Sequence, residues 1–262
     1  MQALSIGATG MAAQSLNVDV ISNNIANMNT VGYKAQRAEF EDLLYQDVER
    51  AGSQSSGTGT IVPTGIQLGA GVQTGSVYRI TTQGSLTQTG NQLDVAVNGE
   101  GYFNVLLPSG DTAYTRAGNF SVNADGQLVT AQGYQIQPSI SIPQGVTAVT
   151  ISPTGQVQVT QAGTTVPAVV GQLQLSTFVN PTGLEALGQN LFSVTAASGV
   201  AVTADPGSPG VGMIQQGYVE ASNVDPVSEI TSLIVAQRAY EMNSKVITTA
   251  DEMLTTTSQL KT

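Results

Sequence analysis

Residues 22–37 read SNNIANMNTVGYKAQR, and this stretch sets where the first structural element of the chain stops. Asparagine amides bond nearby backbone groups or pair across helices, so a run of them at the tail of a helical pattern is typical of a helix end. Gly32 can supply the turn that commonly follows such an end. The stretch therefore predicts a helix that lies before it and a turn at Gly32.

From Leu4 to Ile25, apolar residues recur at a spacing of seven. The pattern predicts an N-terminal helix of about 26 residues with a narrow apolar seam suited to assembly. Gly7 and Gly10 are expected to weaken its first turns by about 1 kcal/mol each relative to alanine. The seam comprises Leu4, Met11, Val18, Ile21, Ile25 and Met28.

The C-terminal end repeats this pattern over about residues 227–260, which predicts a second long helix. Asp225 can cap its start, and Pro226 fits its first turn. A helix packed on its own domain would explain either seam alone. The shared spacing and the position at both chain ends favour two helices that assemble together. The second seam comprises Ile230, Leu233, Tyr240, Ile247 and Leu254.

The middle of the chain differs, because short alternating apolar and polar runs replace the heptads over about residues 72–217. Turn-forming residues separate these runs at 108–111, 125–126 and 153–155. Residues 180–188 separate two further runs. This region is predicted to be antiparallel and mainly β.

Between the first helix and the β region, residues 46–71 are rich in Gly, Ser and Thr. They fit either a flexible linker or a ribbon that orders against neighbours. The predicted fold class is α+β, with terminal helices forming a coiled-coil assembly domain and an inserted β domain. The expected boundaries are 1–35 with 222–262 for the helices, 36–75 for the linker or ribbon, and 76–221 for the β domain.

Charge limits the partners of this chain. The net charge is −10, and no Lys or Arg occurs between Arg116 and Arg238, so nucleic acid is not an expected partner. No apolar run approaches the roughly 20 residues of a spanning helix, so membrane insertion is not expected. The first cation is Lys34, whereas a secretory signal begins with a basic region, so export without a cleaved signal peptide is expected.

The chain has no histidine and no cysteine, which excludes hydrolase triads, thiol nucleophiles and imidazole or thiolate metal sites. Asp94, Glu100 and Asp111 fall in neighbouring predicted strands and could form an acid and base pair of the glycosidase kind. Such acids are more often solvated turn residues. We expect no enzyme activity, no cofactor and no metal.

Three stretches resemble one protein family. Residues 22–34 resemble the N-terminal signature of the axial proteins of the bacterial flagellum, and residues 216–254 resemble their C-terminal signature. Residues 84–136 are similar to the start of the β domain shared by rod and hook proteins. The signature positions are Asn23, Asn24, Asn27, Thr30, Gly32, Tyr33 and Lys34, then Ser222, Asn223, Val224, Gln237, Arg238, Ala239 and Tyr240.

Within this family, AEFEDLLYQ (38–46) and AQRAYEMNSK (236–245) look most like the distal rod group, with the proximal rod and the hook as alternatives. The resemblance implies a structural subunit that is exported unfolded by the type III apparatus and polymerises helically into a hollow tube. That tube would be the drive shaft of the basal body, carrying torque across the periplasm to the hook. Its implied partners are copies of itself, proximal rod, hook and ring proteins, and the rod cap.

A secreted β-rich protein, either carbohydrate-active or adhesive, is the alternative from another functional class. Replacing Asp94, Glu100 or Asp111 would abolish hydrolysis by a carbohydrate-active protein. An adhesin should still function after deletion of residues 1–30 and 225–262, whereas a rod protein should no longer polymerise.

Overall fold

The structure, a computed structural model, describes residues 2–50, 52, 64–163 and 166–259. The chain divides into two compact units. The first comprises Met1–Ile25, Gln36–Tyr78 and Pro226–Thr262, and the second comprises Ala26–Ala35 and Arg79–Asp225. These bounds differ from the expected ones. The first residues after the N-terminal helix belong to the β-rich unit, and the expected linker segment belongs to the helical unit.

Two α-helices are present in the described part of the first unit: α1 (Gln2–Ala26) and α2 (Pro226–Gln259). Both lie within one or two residues of the predicted bounds. Neither helix, within the residues that the structure describes, is long and apolar enough to cross a membrane.

Helix α1 continues through both early glycines, which allow α2 to approach closely. A Cβ on Gly7 would lie 2.9 Å from Ile247 Cγ1, and one on Gly10 would lie 2.8 Å from Asn243 Nδ2. From the sequence alone these glycines were predicted only to weaken the helix. Their role in the fold is to leave space for the side chains of α2.

In both helices the fully buried residues lie mostly outside the predicted seams. In α2, Ala236 and Ala250 are buried and Leu233 and Ile247 are half-buried. In α1, Gly7, Ala13, Val20, Ile21 and Asn24 are buried. Of the predicted α1 seam only Ile21 is buried; Leu4, Met11, Val18 and Ile25 are half-buried, and Met28 is exposed beyond the helix end. The closest contacts of α1 are made by small residues, which an apolar pattern does not detect, and the role of the seam in assembly stays a prediction.

The chain between α1 and the β-rich unit forms a paired ribbon in its described part, not a flexible linker. Strand β1 pairs with β4, and β2 pairs antiparallel with β3. Residues 51 and 53–63 of the predicted linker lie outside the described residues. The ribbon strands are β1 (Gln36–Asp42), β2 (Tyr45–Glu49), β3 (Ile66–Gly69) and β4 (Val72–Arg79).

The second unit is mainly antiparallel β, as predicted. A short 3-10 helix, Pro181–Gly183, interrupts it. Its strands within the described residues are β5 (Leu86–Gln88), β6 (Val95–Asn98), β7 (Tyr102–Leu106), β8 (Thr112–Thr115), β9 (Ser121–Val122), β10 (Leu128–Val129), β11 (Gln135–Gln137), β12 (Val146–Ile151), β13 (Gln156–Gln161), β14 (Ala168–Gln172), β15 (Leu175–Thr177), β16 (Glu185–Gly188), β17 (Leu191–Ser193), β18 (Val202–Ala204), β19 (Met213–Gln216) and β20 (Tyr218–Glu220).

The largest sheet of this unit runs β16-β17-β8-β7-β11-β10-β9, with β15 on β7 and β18 on β15. Strands β12, β13 and β14 form a second sheet, and β6 pairs with β19 and β5 with β20. Alternation along β7 sends Phe103 and Val105 into apolar clusters and places Asn104 on the opposite face. Phe103 and Phe120 meet edge to face at the centre of the main core.

The three predicted turns are confirmed. Residues 108–111 join β7 to β8, residues 125–126 join β9 to β10, and residues 153–155 join β12 to β13. Residues 180–188, predicted as a connection, contain β16 as well as the 3-10 helix. The prediction missed this strand because turn-forming residues precede it.

Candidate functional site

The two signature segments meet within the second unit. The Gly32 amide donates to the Glu220 carbonyl at 2.8 Å, and the Ala35 amide donates to Asn223 Oδ1 at 2.7 Å. The Asn223 amide nitrogen in turn donates to the Ile80 carbonyl at 2.9 Å. The first and last segments of this unit are therefore hydrogen-bonded to each other, although they lie far apart in the sequence.

A buried ion cluster, formed by Lys34, Arg116 and Glu220 and called the Glu220 cluster below, lies beside these bonds. Lys34 Nζ is 2.6 Å from Glu220 Oε1, and Arg116 Nε is 2.7 Å from Glu220 Oε2. The three residues are only 1–4% exposed. A carboxylate with two cations in the interior is stable only when its remaining bonding capacity is also filled.

The cluster meets that condition through backbone groups. Glu220 Oε1 also accepts from the Gly84 amide at 2.9 Å, and Lys34 Nζ donates to the Thr82 carbonyl at 2.9 Å. Arg116 donates from its terminal nitrogens to the Gly101 carbonyl and, at 2.7 Å, to the Gly99 carbonyl. Burial lowers the pKa of Lys34, and attraction to Glu220 opposes that shift.

Gly32 occupies a position that other residues would strain. Its φ of +70° is a left-handed conformation, and a Cβ there would lie 2.8 Å from the Ala117 amide nitrogen. The neighbouring Val31 carbonyl accepts from Asn190 Nδ2 at 2.8 Å. Tyr33, the next residue, is half-buried. The N-terminal signature thus requires a glycine where the chain turns against the backbone near Arg116.

Asn24 fixes the end of α1 in the first unit. Its Nδ2 donates to the Gln36 carbonyl and its Oδ1 accepts from the Gln36 amide, both at 2.8 Å. Nδ2 also lies 3.3 Å from Glu229 Oε1 on α2. This buried amide therefore bonds both the first residue of β1 and the second helix. Asn23 is exposed, and Asn27 Oδ1 accepts from the Thr30 hydroxyl at 3.1 Å.

The C-terminal signature extends onto α2. Val18, Gln237 and Tyr240 line a groove of about 330 Å³ beside α1 and α2. Arg238 is exposed and Ala239 is half-buried. The remaining seam and signature positions are exposed at Ile230 and Leu254, half-buried at Ser222, and buried at Val224.

Helix α2 exposes several large apolar side chains. Val235, Met242 and Met253 are each 63% exposed, and Val246 is 46% exposed. Their spacings of seven, four and seven residues place them on one stripe. We call these four residues the outer stripe.

The acids considered for catalysis each have a separate environment. Asp94 is buried and accepts from Asn91 Nδ2, Asp111 accepts from the Ser109 hydroxyl, and Glu100 is exposed. No group of three acidic side chains in the described part of the chain could hold a metal ion.

Sequence reasoning missed the Glu220 cluster. Lys34 was singled out as a signature residue, but Arg116 and Glu220 were not. One signal was present, because Arg116 is the last cation before a long stretch without Lys or Arg. An isolated charge in a charge-poor chain is a candidate for a buried ion pair.

Comparisons with known proteins match the chain to protein families over segments that include both signatures and part of the β-rich unit. Three family models match the chain: flagella basal body rod protein over residues 4–34, flagellar hook protein FlgE/F/G D1 domain over 96–159, and flagellar basal body rod FlgEFG protein C-terminal over 215–260. The first model ends at Lys34, and the last includes Glu220 and α2 up to its end.

Several curated relatives match over nearly their whole length. The chain is 67% identical to the flagellar basal-body rod protein FlgG of Caulobacter vibrioides, covering 100% of both chains. It is 46% identical to the protein of the same name in Borreliella burgdorferi and 39% identical to that of Bacillus subtilis, in each case over 100% of this chain and 99% of the relative. The flagellar hook-basal body complex protein FlhP of Bacillus subtilis is 29% identical over 97% of each chain.

These findings define a structural protein of the bacterial flagellum. The chain belongs to the family of flagellar basal-body rod proteins. The predicted role of a structural subunit of the distal rod, located in the flagellar basal body, is thereby confirmed.

Proposed function

We propose that copies of this chain polymerise helically into a hollow tube through their terminal helices. The tube is the drive shaft that carries motor torque across the periplasm to the hook. The observation that carries this proposal is the outer stripe of α2, which places large apolar side chains in solvent in a single chain.

The distribution of residue sizes on α2 supports this proposal. The fully buried residues of α2 are alanines, Ala236 and Ala250, whereas the outer stripe consists of valines and methionines. Burying one large apolar side chain contributes about 1.5–3 kcal/mol, which is more than an alanine methyl can contribute. Pairing with α1 therefore leaves most of the apolar stabilisation of α2 unused, and neighbouring copies would supply it.

The terminal helices would then acquire their stable packing together with assembly. Helical stability in proteins comes mainly from tertiary packing of an apolar face. In the proposed coiled-coil core, α1 and α2 of one copy pack on those of its neighbours, and many weak contacts add up along the lattice. Torsional stiffness of the shaft follows from the number of these contacts.

The remaining contacts of the shaft follow from its place in the basal body. The proposed partners are proximal rod proteins at one end, hook protein at the other, and ring proteins and the rod cap during assembly. Export through the type III apparatus, without a cleaved signal peptide, would deliver the chain to the growing tip in the periplasm.

The test replaces two residues of the outer stripe by glutamine, a polar residue. In the double variant Val235→Gln/Met242→Gln both side chains are already exposed, so the monomer should lose less than about 0.5 kcal/mol of stability. Sedimentation and electron microscopy should find tubes for the wild type and none for the variant. The control Thr248→Gln/Thr255→Gln changes two exposed α2 residues with the same spacing and should assemble. Equal assembly of the stripe variant and the control would contradict the proposal.

A further inference from the structure

Strand β6 depends on the last part of the second unit for its pairing. Val95 and Val97 of β6 are fully buried in the main apolar core. In the part of the chain that the structure describes, β6 forms a sheet of two strands with β19, in which Val97 lies opposite Ile214. Ile214 is only 3% exposed and belongs to the same core. Displacing β19 would therefore leave the buried backbone of β6 unpaired and open the core.

The strand that follows, β20, connects this core to the first residues of the unit. It pairs with β5 and ends at Glu220. The Glu220 carbonyl accepts from the buried Gly32 amide, and the Glu220 carboxylate bonds Lys34. We call the two segments that meet here, residues 30–35 and 213–223, the end clasp. The end clasp thus joins the first and last segments of the second unit.

The ion cluster makes an open clasp unfavourable. Arg116, which lies near the middle of the chain, is only 4% exposed and also donates to the Gly99 and Gly101 carbonyls. If residues 213–223 were displaced, Arg116 would keep this buried position without the carboxylate of Glu220. Removing one partner of a buried ion pair is strongly destabilising, because the other charge is left uncompensated. The core and the end clasp should therefore be stable only together.

We propose that the end clasp controls the folding of the second unit, which becomes stable only when its first and last segments have met. Lys34 and Glu220 are 186 residues apart in the sequence. Closing so long a loop costs conformational entropy, and the contacts that offset it, between β6 and β19 and within the ion cluster, form only on closure. A chain in which either segment is not yet in place therefore stays unfolded in this unit.

The end clasp has a consequence for a chain that is exported unfolded. Because a segment near each end of the chain is needed, the second unit would fold only after most of the chain has left the export apparatus, whichever end leaves first. This consequence rests on the proposed function. The clasp itself is a property of the single chain, so it is tested on dilute monomer, where polymerisation plays no part.

The first test follows hydrogen exchange of the wild-type monomer in urea concentrations below the unfolding transition. The Gly32 amide of the clasp and the amides of β7 and β8 should open with equilibrium constants within about threefold of each other and with the same urea dependence. A Gly32 amide that opens at least tenfold more readily, while β7 and β8 stay closed, would overturn the inference. The core would then survive an open clasp.

The second test is Glu220→Gln, which removes the shared negative charge of the cluster. Exchange of the β7 and β8 amides should become at least a hundredfold faster, and to the same extent as exchange of the Gly32 amide, because the core opens with the clasp. The control Glu185→Gln makes the same substitution at an exposed position of the second unit and should stay within twofold of the wild type. Faster exchange at Gly32 alone, with β7 and β8 protected as in the wild type, would show that the clasp opens locally and would overturn the inference. If the variant does not fold, the first test, which needs no substitution, still decides.

The two proposals can fail separately. If the clasp opens without the core in either test while tubes form normally, only the inference about the end clasp is lost. If the wild-type chain forms no tubes at any concentration, the proposed function fails together with the consequence for export, whereas the exchange results for the monomer still decide whether the clasp controls folding.

Discussion

At the scale of single residues, the Glu220 cluster determines how the two signature segments meet. Lys34 comes from the N-terminal signature, and Glu220 lies at the end of strand β20 within the C-terminal signature. Burying three charges is costly, and their arrangement is favourable only when all three are present with their backbone partners. The cluster therefore couples the fold of the β-rich unit to residues near both ends of the chain.

This coupling predicts a large effect of Glu220→Gln. The neutral amide would leave Lys34 and Arg116 buried without an opposing charge, so the free energy of unfolding should fall by about 3–5 kcal/mol. Urea unfolding followed by circular dichroism measures this change. Glu185→Gln makes the same substitution at an exposed position and should stay within about 0.5 kcal/mol of the wild type. A loss below about 1 kcal/mol for Glu220→Gln would show that the cluster has little energetic importance.

At the scale of elements, the pairing of α1 and α2 depends on missing side chains. Gly7 and Gly10 leave room for Ile247 and Asn243, so the backbone of α1 approaches the side chains of α2 closely. Small contact residues allow this close approach but bury little apolar surface. The same feature explains why α2 presents its larger side chains on the outer stripe.

The predicted effect of Gly7→Val follows from this contact. Its Cβ would stand 2.9 Å from Ile247 Cγ1, and overpacking of this kind costs about 1–3 kcal/mol. Since 1.4 kcal/mol corresponds to a factor of ten, we expect the critical concentration for polymerisation to rise roughly tenfold. Ala8→Val adds a β-branched residue at an exposed position of the same helix and serves as the control. Equal critical concentrations for the two variants would show that the Gly7 contact does not affect assembly.

Sequence periodicity predicted some elements better than others. Of the predicted seam of α2, Leu233 and Ile247 are half-buried, because apolar spacing indicates which side of a helix packs, whereas Ile230, Tyr240 and Leu254 are exposed. The close contacts of α1 at Gly7 and Gly10 were not predicted, because glycine at a close contact looks like a helix-weakening residue in a sequence.

Strand β16 was missed for a related reason. Its hairpin turns at Gln189 and Asn190, which have positive φ values of 55° and 60°, and no glycine occupies these two positions. Asparagine tolerates this conformation, but it also occurs in ordinary loops. The Glu220 cluster was beyond local patterns altogether, because its three members come from distant parts of the sequence.

At the scale of the whole molecule, the two units are stabilised differently. The β-rich unit has a continuous apolar core and a satisfied ion cluster, so it should be stable in a single chain. The described helices bury mainly small residues and expose the outer stripe, so they should gain most of their stability from neighbours. The family signatures predicted the function because they include residues of both units. Lys34 is buried in the β-rich unit, and Gln237 to Tyr240 lie on helix α2.

Hydrogen exchange of dilute monomer and of polymer tests this account most directly. Amides of residues 2–25 and 226–259 should exchange on the order of a hundredfold faster in the monomer than in the polymer, because local opening of weakly packed helices is cheap. Amides of β6, β7 and β8 should be protected in both states. Terminal helices that are as well protected in the dilute monomer as these core strands would contradict the claim that assembly completes their folding.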